Sequence, residues 1–350
     1  MIGSPSVSII LPVFNGEKFI AGALATVQAQ TLTGWELIVV DDGSTDATPA
    51  ILAAADAGER RRVIRQANAG LAAARNRGLA EARAPYVAFL DVDDRWHPSY
   101  LSEMRAALEA APRAAAAFAG WGCIDDDGRP LPQRALLSPE QTARLPSDLK
   151  WRNAILPSAL VARRSALAQA GGFDEALAAC EDWDLWLRLI ALGDFAAVPR
   201  IMMEYRVHAG SMTENVEHIE QERLKLNAKH LGPLDEPLAA WPAERRWAVG
   251  FTYFNSALGH LRQKQLAPAR DRIQRAVRCW PDLAAQNEFY YELGCAYQAR
   301  GVRGTAVGLS LPEGETLIHT VLFEWLVPEL GMAGQKKAWG QANMVLARLA

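Results

Sequence analysis

Four short runs of apolar and β-branched residues, separated by stretches long enough for a helix, limit what this chain can become. Val7 to Leu11, Glu36 to Val40, Arg62 to Arg65 and Tyr86 to Leu90 are four to five residues each, the length of strands buried on both faces. Glu17 to Gln30, Ala47 to Ala57 and Leu71 to Ala82 lie between them, rich in Ala, Leu and Glu, which favour helix. Strand, helix, strand, helix predicts a doubly wound α/β layer. Ala114 to Ala119 reads as a further strand or as a helix, since its alanines suit both. Asp125 to Pro146, polar and proline-bearing, reads as a long loop beside a site. A strong helix is expected at Asp182 to Leu192, with Leu185, Leu189 and Leu192 on its buried face.

After about residue 215 the strand signals stop, and Ala, Leu, Arg and Gln recur at helical spacing. The expected division is an α/β domain over 1–213, a linker or connecting helix over 214–240 and an all-α domain over 241–350. Tyr290-x-x-Leu293-Gly294-x-x-Tyr297, with Gly301 following, matches the first-helix pattern of a tetratricopeptide repeat. The preceding Tyr253, Ala257, Ala269, Ile273, Ala276 and Pro281 fit it less well. The tail therefore reads as one to two such repeats or as plain helical hairpins.

Bulk properties remove several function classes. With 37 basic and 40 acidic residues the formal charge is −3, so no whole-molecule field draws in nucleic acid. Cys123, Cys180, Cys279 and Cys295 show no C-x-x-C spacing and read as reduced, buried thiols of a cytoplasmic protein. The N-terminal run lacks a basic region and carries Pro5, which is no signal peptide. Thr316 to Met332, the best candidate for a membrane span, is interrupted by His319, Glu324, Pro328 and Glu329. No span is expected, although this stretch offers a surface for peripheral contact at the inner membrane face. Tryptophan, at 11, outnumbers Tyr at 7 and Phe at 10. Trp96, Trp183 and Trp186 stand beside the polar motifs below; Trp241, Trp247, Trp280, Trp325 and Trp339 are expected to pack the tail.

In open α/β sheets ligands bind outside the carboxyl ends of the strands. Those ends read Phe14-Asn15-Gly16, then Asp41-Asp42-Gly43-Ser44-Thr45-Asp46, then Asn68-Ala69-Gly70, then Asp91-Val92-Asp93-Asp94. Three carboxylates in four residues repel one another unless a cation compensates them. Oxygen donors of this kind suit Mg²⁺ or Mn²⁺, which complete their shell with substrate phosphates; a solvated turn capping the next helix is the plainer reading. Gly43 allows a tight turn and Ser44 or Thr45 a helix cap, but capping needs only one of Asp41 and Asp42. No G-x-G-x-x-G and no Walker lysine loop follows the first strand. Glu181-Asp182-Trp183-Asp184 opens a helix, where acidic residues ordinarily serve the dipole.

Taken together, VSIILPVFNGEKFI, ELIVVDDGSTDAT, NAGLAAARNRGLAEA, YVAFLDVDD, GGFDE, EDWDLWLRL and YRVHAGSMT resemble glycosyltransferase family 2, over about residues 5 to 213. The resemblance implies a GT-A fold, Rossmann-like, of the nucleotide-diphospho-sugar transferase type. It also implies an inverting hexosyltransferase using Mn²⁺ or Mg²⁺ and a nucleotide-sugar donor, UDP-linked before others; the non-processive expectation comes from a departure from the family pattern, the missing signature of its processive members. The acceptor would be a carbohydrate, a lipid-linked glycan or a protein, in bacterial surface polysaccharide or glycoconjugate synthesis. Carried over by position, Pro12, Phe14 and Glu17 line the nucleotide pocket, Asp42 bonds the base and Arg75 lies near the donor. Asp91 and Asp93 form the D-x-D, with Asp93, Asp94 and His208 as metal ligands and Gly171 and Gly172 as a loop beside the donor sugar. Asp182 is the general base. Trp183, from its place beside that motif and not from the resemblance, reads as an aromatic face that approaches the donor or simply braces the site. The Q-x-x-R-W signature of processive members is absent; the nearest string is Ala243-Glu244-Arg245-Arg246-Trp247. The rival expectation is an inactive domain that serves, with its helical tail, as a scaffold. On either reading the helical tail is a candidate surface for a homodimer or a protein partner.

Overall fold

A computed structural model describes residues 4–55, 60–298, 300–301, 311–326, 330 and 332–349. The chain divides into two compact units, 1–130 with 134–206, and 131–133 with 207–350. The strands are β1 (Val7–Val13), β2 (Trp35–Asp41), β3 (Arg61–Arg65), β4 (Tyr86–Phe89), β5 (Arg95–Trp96), β6 (Ala114–Ile124), β7 (Pro130–Ala135), β8 (Leu160–Arg163) and β9 (Asp194–Arg206). The helices of the first unit are α1 (Ile20–Gln28), α2 (Thr48–Ala54), α3 (Leu71–Glu81), α4 (Tyr100–Ala110), α5 (Pro139–Asp148), α6 (Arg164–Ala170) and α7 (Glu181–Ile190). One mixed sheet has the order β3-β2-β1-β4-β8-β6-β9-β5, with β7 beside β6.

β1 to β4 are parallel, and β8 turns antiparallel beside β4. Winding runs outward from β1 to β3 and then reverses to place β4 on the other side of β1. The carboxyl ends of β1 and β4 therefore flank a topological switch point, where α/β sheets open a crevice. Every residue of β1 and β2 is buried, as their near-continuous apolar runs require. Helix α3 lies close on β1, since a Cβ at Gly78 would fall 2.4 Å from Ile10 Cγ2. Even one methyl there forces a shift in a packed interior.

Ala114–Ile124 is a strand, pairing with both β8 and β9. Its small residues suit a crowded interior position: at Gly120 a Cβ would meet the Ala135 and Arg200 carbonyls at 2.8 and 3.1 Å. The loop expected over Asp125 to Pro146 is corrected. It contains β7 and α5, and α5 starts with a capping box in which Ser138 Oγ accepts from Gln141 N while Gln141 Oε1 accepts from Ser138 N at 2.9 Å. Helix α7 also stops short of Leu192, which is exposed.

In the second unit, α8 (Val216–Leu231), α9 (Ala243–Arg262), α10 (Leu266–Cys279), α11 (Asn287–Gly294), α12 (Leu311–Thr320) and α13 (Met332–Leu349) follow. Phe254, Leu258, Leu261, Ile273, Tyr290, Leu293 and Trp325 are buried in one apolar core. Trp247 and Trp280 meet edge to face at 5.5 Å, but Trp339 is half exposed and packs less than expected. The Ala243–Trp247 string lies in α9, where the buried Arg245 donates to the Leu231 and Pro233 carbonyls. Among the described residues no helix is long and apolar enough to cross a membrane. Residues 327–329 and 331 of the weakly apolar stretch lie outside the described residues, as do the last positions of the helix expected at Ala47 to Ala57.

Candidate active site

The loops leaving β1 and β2 are laced together. Asn15, at φ 51°, accepts from Thr45 N at 2.8 Å through Oδ1, and its own N–H reaches Ser44 Oγ at 2.9 Å. Gly16 N donates to Thr48 Oγ1, Glu17 N to Asp46 Oδ2, and Glu17 Oε2 accepts from Ala47 N. Pro12 is buried inside β1, whereas Phe14 at this junction is 51% exposed, an open aromatic face of the kind that can stack on a base.

Asp42 was expected to bind the base. Its buried carboxylate is largely committed within the chain, accepting from Gln66 Nε2 at 2.8 Å, Ala69 N at 3.0 Å and Gly70 N at 2.9 Å. A carboxylate has about four lone-pair sites, so one is left over. Asp42 thereby fixes the start of α3, and Asp41 caps the turn at Ser44 N. Gly43 is at φ +82°, and a Cβ there would lie 2.8 Å from Asn68 N.

Arg75, on α3 and 1% exposed, is the hub of the site. Its Nη2 donates to Asp91 Oδ1 at 2.6 Å and its Nη1 to the Glu181 carboxylate, so the turn after β4 is tied to the start of α7. Burial works against the guanidinium charge, but Asp91 and Glu181 outweigh it and raise the pKa. Asp91 N is held by Ser158 Oγ at 3.0 Å, and Trp96 Nε1 by the Ser158 carbonyl at 2.6 Å. Arg206 donates from Nε to the Asp93 carbonyl at 2.9 Å.

The three carboxylates differ in access. Asp91 and Asp93 keep part of their surface, whereas Asp94 is buried with Oδ1 accepting from Arg206 N at 3.2 Å. Burial first, then Asp93 and Asp91, pushes the Asp94 pKa well above the usual carboxylate range. Asp94 thus ties the turn after β4 to the end of β9. Asp91 and Asp93 fit a divalent ion that takes one or two protein carboxylates and fills its shell from a diphosphate and water. No cluster of three or more His, Cys, Asp or Glu able to hold a metal occurs among the described residues. His208, whose carbonyl accepts from Ser211 N, belongs to the second unit, and its part in metal binding is a proposal carried by the resemblance.

At the start of α7, Asp182 is half-buried. Its Oδ2 accepts from Asn153 Nδ2 at 2.8 Å and its Oδ1 from Trp183 N at 2.7 Å. Burial and the neighbouring Glu181 carry its pKa up to about 7, against the opposing pull of Arg75 and the two hydrogen bonds. Trp183 is 2% exposed, with its indole N–H on the Leu149 carbonyl, so it braces the 149–155 segment and presents no open face to a donor. Trp186 does the same at the Ile155 carbonyl, 3.1 Å away. Cys180, expected buried, is only partly so. Gly171 and Gly172 form a positive-φ turn, and Asn76 accepts from Phe173 N at 2.8 Å; a Cβ on Gly172 would sit 2.7 Å from Asn76 Oδ1.

Residues 8–170 match the sequence family described as Glycosyl transferase family 2. TuaG of Bacillus subtilis (strain 168), a glycosyltransferase named for teichuronic acid biosynthesis, is 32% identical over 217 residues, 60% of this chain and 82% of TuaG. The chain belongs to glycosyltransferase family 2. It spans only 30% and 39% of the length of two other curated relatives. This family 2 chain also has the fold of S. aureus TarS 1-349 solved with UDP-GlcNAc, at 17% identity and TM-score 0.58 over 98% of this chain and 90% of that one. The mannosyltransferase PcManGT of Pyrobaculum calidifontis, solved with GDP-Man and Mn²⁺, is similar at 16% identity and TM-score 0.54 over 98% and 87%. The architecture is thus a GT-A α/β domain followed by helices.

Within this family 2 site, Asn76, Asn153, Ser158 and Glu181 were not singled out from the sequence as site residues. Each acts on a partner far along the chain, such as Arg75 and Glu181, 106 positions apart. Only the charged pair Glu181-Asp182 hinted that one of its members had a task other than capping.

Proposed function

We propose that this chain moves a single sugar from a nucleoside-diphosphate sugar, UDP-linked before others, to an acceptor hydroxyl with inversion, in bacterial surface glycan synthesis. The observation that carries the proposal is Asp182, a half-buried carboxylate with its pKa brought to about 7, joined through Glu181 and Arg75 to Asp91. A hydroxyl is a poor nucleophile until a base takes its proton in the transition state, and a base is most effective near the working pH. The hydroxyl attacks the anomeric carbon opposite the departing diphosphate, and a single displacement inverts configuration. Asp91 and Asp93 would hold the Mg²⁺ or Mn²⁺, which when bound offsets the charge on the leaving diphosphate. Phe14, Pro12 and Glu17 would line the nucleotide end, and the Gly171–Gly172 turn the sugar end. The named task of TuaG and the ligands of the two structural neighbours support the same reading.

Two expectations test it. Transfer from a UDP- or GDP-sugar in Mn²⁺ should stop in excess EDTA, and Asp93→Ala should raise the donor Kd and the Mn²⁺ requirement together. Undiminished transfer in EDTA would remove the metal from the scheme. Because only ionised Asp182 can accept a proton, kcat/KM should rise about tenfold per pH unit below about pH 7 and level above it. A flat profile from pH 5.5 to 8.5 would exclude Asp182 as the base.

A further inference from the structure

The 149–155 segment is fastened to α7 at three points, by the Trp183 and Trp186 indoles at its ends and by Asn153 in the middle. Asn153 has its amide orientation fixed from both sides. Its Oδ1 accepts from Ile155 N at 3.2 Å, so its Nδ2 must be the atom that meets Asp182 Oδ2 at 2.8 Å. Turning the amide over would set its oxygen against a carboxylate oxygen and its NH₂ against a backbone N–H. The other Asp182 oxygen takes the N–H of Trp183. With two lone pairs on each oxygen, the carboxylate is pinned at both ends and still keeps an open position for a hydroxyl.

We propose that Asn153 is the positioning residue of the reaction: its side-chain N–H fixes the Asp182 carboxylate and favours its ionised form, so that Asn153 sets the pH at which the base works. The proposal rests on Asp182 being the base. Asn153 Nδ2 can only donate, and a donor stabilises a carboxylate over the neutral acid. The charged groups acting on Asp182 are Glu181, which disfavours its ionisation, and Arg75, which favours it; burial is the largest influence and also disfavours it. Asn153 and Trp183 N are the hydrogen-bond donors that oppose burial. A carboxylate at position 153 would repel Asp182 as Glu181 does, so a carboxamide suits the role.

The experiment measures single-turnover transfer against pH, from pH 5.5 to 9.5, for wild type, Asn153→Ala, Asn153→Asp and Asp182→Asn, alongside donor Kd by calorimetry in Mn²⁺. Asn153→Ala should move the acid limb up by about one pH unit, with donor Kd within about twofold of wild type. Asn153→Asp, which keeps the acceptor for Ile155 N and so the local fold, should move the limb further in the same direction. Transfer by Asn153→Ala, deficient at pH 6.5, should approach wild type at pH 9. If both variants lose activity equally at every pH with the limb unmoved, Asn153 is only structural and the proposal is overturned. If instead Asp182→Asn is fully active, the base assignment itself fails, an outcome distinct from the first.

Discussion

Asp182→Asn should lower sugar transfer by ~10³-fold while donor affinity stays within about twofold, the size of effect a general base supplies. The amide is nearly isosteric and still has an oxygen for Asn153 or Trp183 N, but it cannot take the acceptor's proton. Asp91 and Asp93, the groups assigned to the donor, are untouched. Product formation and donor Kd, measured on the same preparation, check both halves. A normal turnover number would sink the assignment. Loss of transfer with donor binding retained also separates an enzyme from the scaffold alternative, in which no single carboxylate should matter.

The same substitution has a signature in stability. In the folded chain Asp182 holds its proton up to about pH 7, against an ordinary value of 3.8 when exposed. The native state therefore binds this proton more tightly than the unfolded one, and stability falls as pH rises between those values. Wild type should lose melting temperature from pH 5 to pH 8 by an amount that is missing in Asp182→Asn. Equal losses in the two proteins would mean that the carboxyl is not strained by burial.

What could be read from the sequence follows from which contacts are local. β1, β2 and β4 were legible because strands covered on both faces must be apolar almost throughout, and the polar residues at their ends had to be turns or ligands. Ala114–Ile124 was ambiguous because alanine is at home in either structure, and its strand state is set by neighbours 40 to 80 positions away, such as Val161 and Ala197. The 125–146 segment was misread although Ser138-Pro139-Glu140-Gln141 carries a capping signature; overall polarity outweighed the local cue. Among the aromatics, the tryptophan surplus near the motifs turns out to be bracing: Trp183 and Trp186 spend their indole N–H groups on the 149–155 segment, and Trp96 on Ser158. Asp41, Asp42 and Asp94 also carry structural bonds that the motifs do not reveal: Asp41 caps its own turn at Ser44 N, Asp42 accepts from Ala69 N beyond β3, and Asp94 accepts from Arg206 N on β9.

Arg75→Met should destabilise the fold by about 3 kcal/mol and lower transfer by ~10²-fold, the second large effect. Removing one partner of a buried ion pair typically costs 3–5 kcal/mol, because the remaining charge stays desolvated. The Asp91 side chain is 28% exposed and can recover water, whereas that of Glu181 at 6% cannot, which places the loss at the lower end. Activity should fall for two separate reasons: the turn bearing Asp91 and Asp93 loses its tether to α7, and Asp182 loses the cation that favours its ionised form. Arg75→Lys keeps the charge but not the fork that reaches two carboxylates at once, so it should lie between wild type and Arg75→Met in both measures. The decisive variant is Arg75→Met with Glu181→Gln. Neutralising Glu181 removes the stranded charge, so urea denaturation should return most of the lost stability, while transfer stays low because Asp91 remains untethered. Additive losses in the double variant would show that Arg75 and Glu181 do not act as a pair, and an Arg75→Met protein as stable as wild type would show that the buried guanidinium does not hold the two halves of the site together.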